Sequence, residues 1–348
     1  MKVALITDTH FGCRNDNAVF ANHMKKFYHE FFFPYLDKHN IKSLIHLGDL
    51  VDRRKQINYI TARNLEEDFM RPIHERGIDA HFIVGNHDSY YKNTIMVNSL
   101  NELYSKSEYK FNLVMEPQEV EIDGTKLFMI PWICADNEEK TFELMEKTKA
   151  KYAFGHLEIQ GFEMYRGSVN HHGLQTNVFG KFDRVFSGHF HHKSTRDNLT
   201  YLGSPYEMTW ADYNDWRGFH IFDTETGEIE GVRTPYRLFY KIIYDDSKPT
   251  KHEYELYEGC FVKVIVRKKK DPVAFDIFLD KLYRSGAHDV AVVDDHMNID
   301  QADDSDLVDE AEDTMSILKN YIKGTDTTHQ KELEHLMSDL YQEALSLE

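Results

Sequence analysis

Residues 80–88, "AHFIVGNHD", run from an apolar stretch straight into a glycine, an amide, an imidazole and a carboxylate. Taken alone, this tetrad is an ordinary turn, because Gly-Asn and His-Asp both suit loops with local hydrogen bonds. The same grammar recurs in "VALITDTH" (3–10), "SLIHLGDLVD" (43–52), "YAFGHLE" (152–158) and "RVFSGHFHH" (184–192). Each is a strand-like apolar run that passes at once into polar side chains.

Between the first three of these segments, residues 17–39 and 59–76 carry helical spacing. The alternation predicts an α/β sheet, with ligands bound off the carboxyl ends of its strands. From 111 to 134 the sequence turns to short strands, and Asp-Gly in "VEIDGTKLFMIPW" marks a hairpin. A second strand-rich stretch, 199–244, predicts a second sheet packed on the first. After Pro235, "RLFYKIIYDD", "CFVKVIVRKKK", "PVAFDIFLDKLYRSG" and "DVAVVDD" read as a small β-β-α-β module.

The expected organisation is therefore a main domain over 1–235, a small β-α domain over 236–293, an acidic linker over 294–306 and a helical tail over 307–348. The tail carries two apolar stripes, one through Leu307, Met315, Leu318 and Ile322, the other through Leu336 and Leu340. Such stripes can pack on each other or on the main domain. A tether rich in acid offers little to bury, and so favours a partner's groove instead.

Composition narrows the class. An apolar content of 41% supports a substantial core. The apolar runs are strand-sized and no signal-peptide pattern opens the chain, which predicts a cytoplasmic protein without membrane spans. Cys13, Cys134 and Cys260 are too dispersed for a disulfide framework or a thiolate zinc site. A net charge of -18 argues against nonspecific nucleic-acid binding, which draws on Lys and Arg. The charge is uneven, however: ten Asp or Glu and no Lys or Arg fall between Asp294 and Thr314, while "VKVIVRKKK" (262–270) is basic. Nucleic acid thus stays open as a substrate, through local patches or metal ions.

The strand ends supply, in order, Asp8 and His10, Asp49 and Asp52, Asn86, His87 and Asp88, His156, then His189 and His191. Asp-x-His or His-x-His on an extended segment puts both side chains on one face, where they can reach one ion. One such pair also fits a capped turn. Five in succession at strand ends point to a metal centre.

This pattern resembles that of the calcineurin-like metallophosphoesterases: D-x-H, G-D-x-x-D-R, G-N-H-D/E, G-H and G-H-x-H, all within about residues 1–220. The resemblance implies a four-layer sandwich of two mixed sheets flanked by helices, with 236–293 as a small β-α capping, DNA-binding domain and a C-terminal helix pair. It also implies two divalent ions, most readily Mn²⁺, with Mg²⁺ as the alternative. Asp8, His10, Asp49 and His191 would hold one ion; Asp49 as bridge, with Asn86, His156 and His189, would hold the other. Such a pair neutralises a phosphodiester and activates water. His87 would then be free to protonate the leaving oxygen, with Asp88 orienting it and Gly85 making the turn. Asp52 is expected to brace the Asp49 loop through Arg53. Arg53, Arg54, Lys55, Tyr90, Tyr91 and Lys92 are candidates for DNA backbone and base contacts.

The stretches "GDLVDRRK", "IVGNHDSYYKN", "IPWIC", "GHLEIQGF", "SGHFHH", "YLGSP" and "RGFHIFDTET" are more narrowly similar to the nuclease subunits of SbcD-like repair exonucleases and of large tailed phages. That likeness implies a manganese-dependent duplex exonuclease, 3′ to 5′, with endonuclease action on single strands and hairpins. It also implies a homodimer within a heterotetramer, whose other subunit is a coiled-coil ABC-type ATPase. The dimer contact is expected on "NLEEDFMRPIHE" (64–75) and "TIMVNSLNELY" (94–104), although Leu65, Phe69, Leu100 and Leu103 would equally suit the protomer's own core. A phosphatase acting on small molecules or phosphoproteins, or a DNA-end scaffold, remains the alternative, because the phosphoesterase fold does not choose its substrate.

Overall fold

The computed structural model describes residues 1–248 and 250–294, together with Ile322, His329, Leu333, Leu336, Met337 and Leu340. Strands β1 (Lys2–Ile6), β2 (Ser43–His46), β3 (Asp79–Ile83) and β4 (Asn112–Val114) run parallel, side by side. A second sheet contains β5 (Gln118–Ile122), β6 (Thr125–Ile130), β7 (Tyr152–His156), β10 (Arg184–Gly188), β11 (Ser194–Arg196) and β12 (Leu199–Tyr201), in the order β11-β12-β10-β7-β6-β5. A two-stranded hairpin, β8 (Glu163–Tyr165) with β9 (Ser168–Val169), lies between β7 and β10 in the chain. The β5–β6 hairpin turns at Asp123 and Gly124, both at positive φ, as the Asp-Gly pair predicts.

One expectation is corrected. The strands β13 (Gly218–Asp223) and β14 (Ile229–Arg233) form a hairpin, but they extend the first sheet, with β13 antiparallel to β1. The second sheet is instead built around β7 and β10, which carry His156 and end at His189. The five motif segments are thus divided between two sheets, and period-2 patterning alone does not say which sheet a strand joins.

The strands β1, β2, β3, β7 and β10 bury both faces, so their sequences are continuously apolar rather than alternating. On β1, Val3 and Leu5 enter the layer between the sheets, where they meet Ile45, Phe154, Phe186 and Phe222. Ala4 and Ile6 face the helices on the other side, with Phe27, Phe32 and Phe69. A separate cluster of Phe128, Ile130, Met145 and Val185 covers the outer face of the second sheet. The result is a mixed α/β sandwich of two sheets with helices outside.

Both long helical stretches contain a π-helical turn: Ala18–Phe27 passes through Tyr28–Phe32 into Phe33–Lys38, and Tyr59–Leu65 through Glu66–Met70 into Arg71–Glu75. Pro34 and Pro72 follow these turns directly. Proline has no N–H to give and its ring crowds the preceding turn, so a widened turn lets the helix continue. Leu65, Phe69 and Leu100 are buried in the protomer's own core, whereas Leu103 is exposed.

The small module is a parallel sheet of β15 (Phe239–Asp245), β16 (Phe261–Lys268) and β17 (Asp289–Asp294), with the helix Pro272–Arg284 on one face. Asp271 caps that helix by accepting from the N–H groups of Val273 and Ala274. The module is stapled to the sandwich by Glu207, which accepts from the N–H groups of Leu238 (2.7 Å) and Phe239 (2.9 Å). Of the tail residues, Leu307, Met315 and Leu318 lie outside the described residues; Ile322 is buried, and Leu336 and Leu340 are half exposed. Among the described residues, no helix is long and apolar enough to cross a membrane.

Candidate metal centre

The carboxyl ends of β1, β2, β3, β7 and β10 converge where the two sheets meet. Asp8, His10 and His191 have ligand atoms within 4.8 Å of one another, as do Asp49, His156 and His189, and also His10, Asp49 and His87. Asn86 completes the second group, its Oδ1 lying 2.9 Å from His156 Nε2 and 3.0 Å from His189 Nδ1. Asp49 Oδ2 stands 3.2 Å from His156 Nε2 and 3.8 Å from His10 Nε2, between the two clusters.

The hydrogen bonds behind these residues aim their lone pairs. His156 Nδ1–H donates to the Leu47 carbonyl (2.8 Å), which leaves Nε2 as an acceptor facing Asp49 and Asn86. His10 Nδ1 lies 3.2 Å from Asp52, which frees His10 Nε2 toward His191 Nε2 at 3.1 Å. Thr7 donates to Asp8 (2.7 Å), and the His189 N–H adds a bond to the same carboxylate (3.0 Å). Acceptor atoms thus crowd two small volumes, an arrangement that requires cations or protons between them. Oxygen and imidazole donors without thiolate fit Mn²⁺ or Mg²⁺.

Electrostatics tell the same story. Burial alone would suppress His10 and His156, but the Asp49 and Asp52 carboxylates around the one, and Asp49 and Asp8 around the other, lift each to about 9. Burial would raise Asp49, yet His156 and His87 hold it well below the usual carboxylate range. Burial, reinforced by nearby His156, lowers His189 to about 3, and burial with His10 and Arg217 lowers His191 too. Protons held by His10 and His156 would have to leave before either imidazole could bind a metal ion.

Four of these side chains sit on strained backbone: Asp8 (φ 52°), His10 (φ 43°), Asp49 (φ 55°) and His189 (φ 90°) all adopt positive φ. Such conformations cost about 1–3 kcal/mol each and persist where the surroundings over-determine them. Gly48 lies in the same loop at φ 101°, where a Cβ would also fall 2.4 Å from His156 Nδ1. Gly85 needs no unusual φ, contrary to its expected role as a turn former. It is required by closeness, because a Cβ there would lie 2.3 Å from both Asp49 N and Oδ1.

Two roles differ from those expected. The Asp88 carboxylate does not orient His87; it accepts from the N–H groups of Gly85 (2.8 Å), Asp49 (2.9 Å), Leu50 (2.9 Å) and Val51 (3.2 Å). It is the brace that locks the β2 and β3 loops together. Asp52 supports the centre through His10, whereas Arg53 pairs with Asp16 at 2.9 Å. His87 Nδ1 lies 2.5 Å from the Asp52 carbonyl, and its N–H donates to Asp49 at 2.8 Å. Of the proposed DNA contacts, Lys55, Tyr90, Tyr91 and Lys92 are exposed, while Arg53 and Arg54 are partly buried.

Sequence reading missed Trp132 and His46. The Trp132 ring lies 5.1 Å from that of His189 and 5.9 Å from that of His156, walling the second cluster. Its place just beyond β6, in "IPWIC", follows the strand-end grammar and was the available signal. His46 is fully buried and ties Thr9 (3.0 Å) to the Gly48 N–H (3.2 Å), a role without a sequence signature.

A sheet-edge cluster of this composition, on a two-sheet sandwich, defines a metallophosphoesterase, and the chain belongs to the calcineurin-like phosphoesterase family, whose sequence model matches residues 1–193. Along its whole length it is similar to exonuclease subunit 1 of Enterobacteria phage T4, with 31% identity over 352 residues covering 99% of each chain. Similar solved structures include an archaeal phosphodiesterase (16% identity, 67% of this chain and 100% of that one, TM-score 0.32). A dimetal phosphatase from Danio rerio is another (11% identity, 64% and 91%, TM-score 0.41).

Proposed function

We propose that this protein is the nuclease subunit of a DNA end-processing complex, a two-metal phosphodiesterase that degrades duplex DNA from 3′ to 5′ and cuts single strands and hairpins. The observation that carries the reading is the pair of side-chain clusters, Asp8–His10–His191 and Asp49–His156–His189, with Asp49 also 3.8 Å from His10. The full-length likeness to a phage exonuclease subunit supports DNA as the substrate. Asp8, His10, Asp49 and His191 would hold one ion and Asp49, Asn86, His156 and His189 the other, with Mn²⁺ as the preferred metal. Bound there, the ions would neutralise phosphate charge and make water a competent nucleophile at neutral pH.

The chain's own residues do the rest. His87 gives its Nδ1–H to the Asp52 carbonyl, so protonated His87 can present Nε2–H to the leaving oxygen. Asp88 keeps Asn86 and Asp49 in register. Lys55, Tyr90, Tyr91 and Lys92 are exposed and would meet phosphates and bases. In the assembly, the chain is a homodimer within a heterotetramer, and the 307–348 tail docks on a coiled-coil ABC-type ATPase.

The test is direct: incubation with Mn²⁺ and end-labelled duplex DNA should release nucleotides from 3′ ends. Turnover of p-nitrophenyl phosphate with DNA left intact would make the protein a phosphatase instead.

A further inference from the structure

Arg217 precedes β13 and belongs to no ligand motif, yet only 2% of its surface is exposed. Its Nη1 donates to the carbonyl of His191 and to Ser204 Oγ (2.7 Å), and its Nη2 to Asp212 (2.8 Å) and Asp215 (3.0 Å). The Ser204 N–H reaches the same His191 carbonyl at 3.1 Å. Asp212 Oδ2 is itself held by the N–H groups of Met208 (2.7 Å) and Thr209 (2.8 Å). Asp215 also bonds His192 Nδ1 at 2.8 Å, and the His192 N–H donates to the Met164 carbonyl. The peptide joining His191 to His192 is therefore gripped from both sides.

Such a grip matters most at this ligand. The His191 side chain is 29% exposed, whereas Asp8, His10, Asp49 and His156 are almost wholly enclosed. Packing cannot fix an imidazole on the open rim of the centre; its backbone must be fixed instead. A planar guanidinium reaches four partners in a set geometry, which the point charge of a lysine cannot reproduce.

We propose that Arg217 is a positioning residue that holds the His191 peptide, and through it the metal site of Asp8, His10, Asp49 and His191. This rests on the two-metal reading above. The experiment is Mn²⁺ titration of the full chain without DNA, followed calorimetrically and by the spin-coupled electron paramagnetic resonance signal of an ion pair. His191→Ala identifies the step that belongs to its site. In Arg217→Lys, the site of Asn86, His156 and His189 should keep its affinity while the His191 site weakens about 10–100-fold. The coupled signal should return at higher Mn²⁺.

Unchanged affinity at the His191 site, or equal weakening of both sites, overturns the positioning role. Wild-type protein that takes up no ion pair overturns the two-metal reading itself, so the two failures are distinct. If Arg217→Lys does not fold, Ser204→Ala removes the hydroxyl beside the same carbonyl and should weaken the His191 site about fivefold. An unchanged His191 site in that variant, or failure of both variants to fold, assigns the network to folding alone and rejects the proposal.

Discussion

Asn86 and His87 are neighbours in the chain with opposite tasks: the amide oxygen faces His156 and His189, while the imidazole turns to the Asp52 carbonyl. His87→Ala should therefore keep two Mn²⁺ per chain and lose about 10²–10⁴-fold in cleavage, the usual worth of a general acid. Metal analysis showing one ion lost would place His87 among the ligands. Asp49→Asn should lose both ions, because one charge serves both clusters; full metal content and a normal rate would put the bridge elsewhere. His46 offers a test of pH. Burial lowers it to about 3, against about 6.5 for an unfolded imidazole. Between those values the unfolded chain binds the extra proton. Stability present above about pH 6.5 is thus lost as pH falls toward 3, by up to about 1.4 kcal/mol per pH unit. Thermal melts in EDTA from pH 7 to 5 should show this slope, and His46→Gln should flatten it. An equally steep variant would assign the slope to other groups.

Loops, not strands, carry the strain and the precision of the centre. The β2 and β3 loops are fastened to each other chiefly by the Asp88 carboxylate, with His87 bonded to Asp49 and Asp52 beside it, and pressed together at Gly85. Gly85→Ala forces its methyl into Asp49, which should cost about 1–3 kcal/mol of stability as overpacking and weaken Mn²⁺ binding as well. Melting and metal titration of that variant give the check; unchanged values for both would mean that the loops can part without consequence. The motif "GNHD" announced that the loop was special. It did not announce which of its four residues would hold the loop together, because the backbone amides that Asp88 binds, Gly85's apart, come from another strand's loop, about 38 residues away.

At the scale of the whole molecule, the candidate centre and the tail stand far apart in the sequence. The candidate ligands all lie before residue 192, on the sandwich, and the small module is attached through Glu207. Deletion of 307–348 should leave Mn²⁺-dependent nuclease activity of the isolated chain nearly intact and abolish capture of a coiled-coil ATPase. Retained capture, or unfolding of the truncated chain, would remove the tail from that role. The stripes on 64–75 and 94–104 are a lesson at this scale. Leu65, Phe69 and Leu100 fill the protomer's core, so a dimer contact on those helices must use other residues, since helical spacing marks an apolar face without saying what covers it.

The sequence by itself determined the α/β class, the strand ends that come together and the residue types they bring there, because apolar period and donor chemistry are local properties. It also placed the β5–β6 turn and the small module. Only the tertiary structure decided that β13 and β14 join the first sheet while β7 and β10 build the second. It alone set Asp52 against His10, made Asp88 a brace and brought Arg217 under His191. Those are contacts between residues far apart in the chain, and their energies depend on burial and distance, neither of which any local pattern encodes.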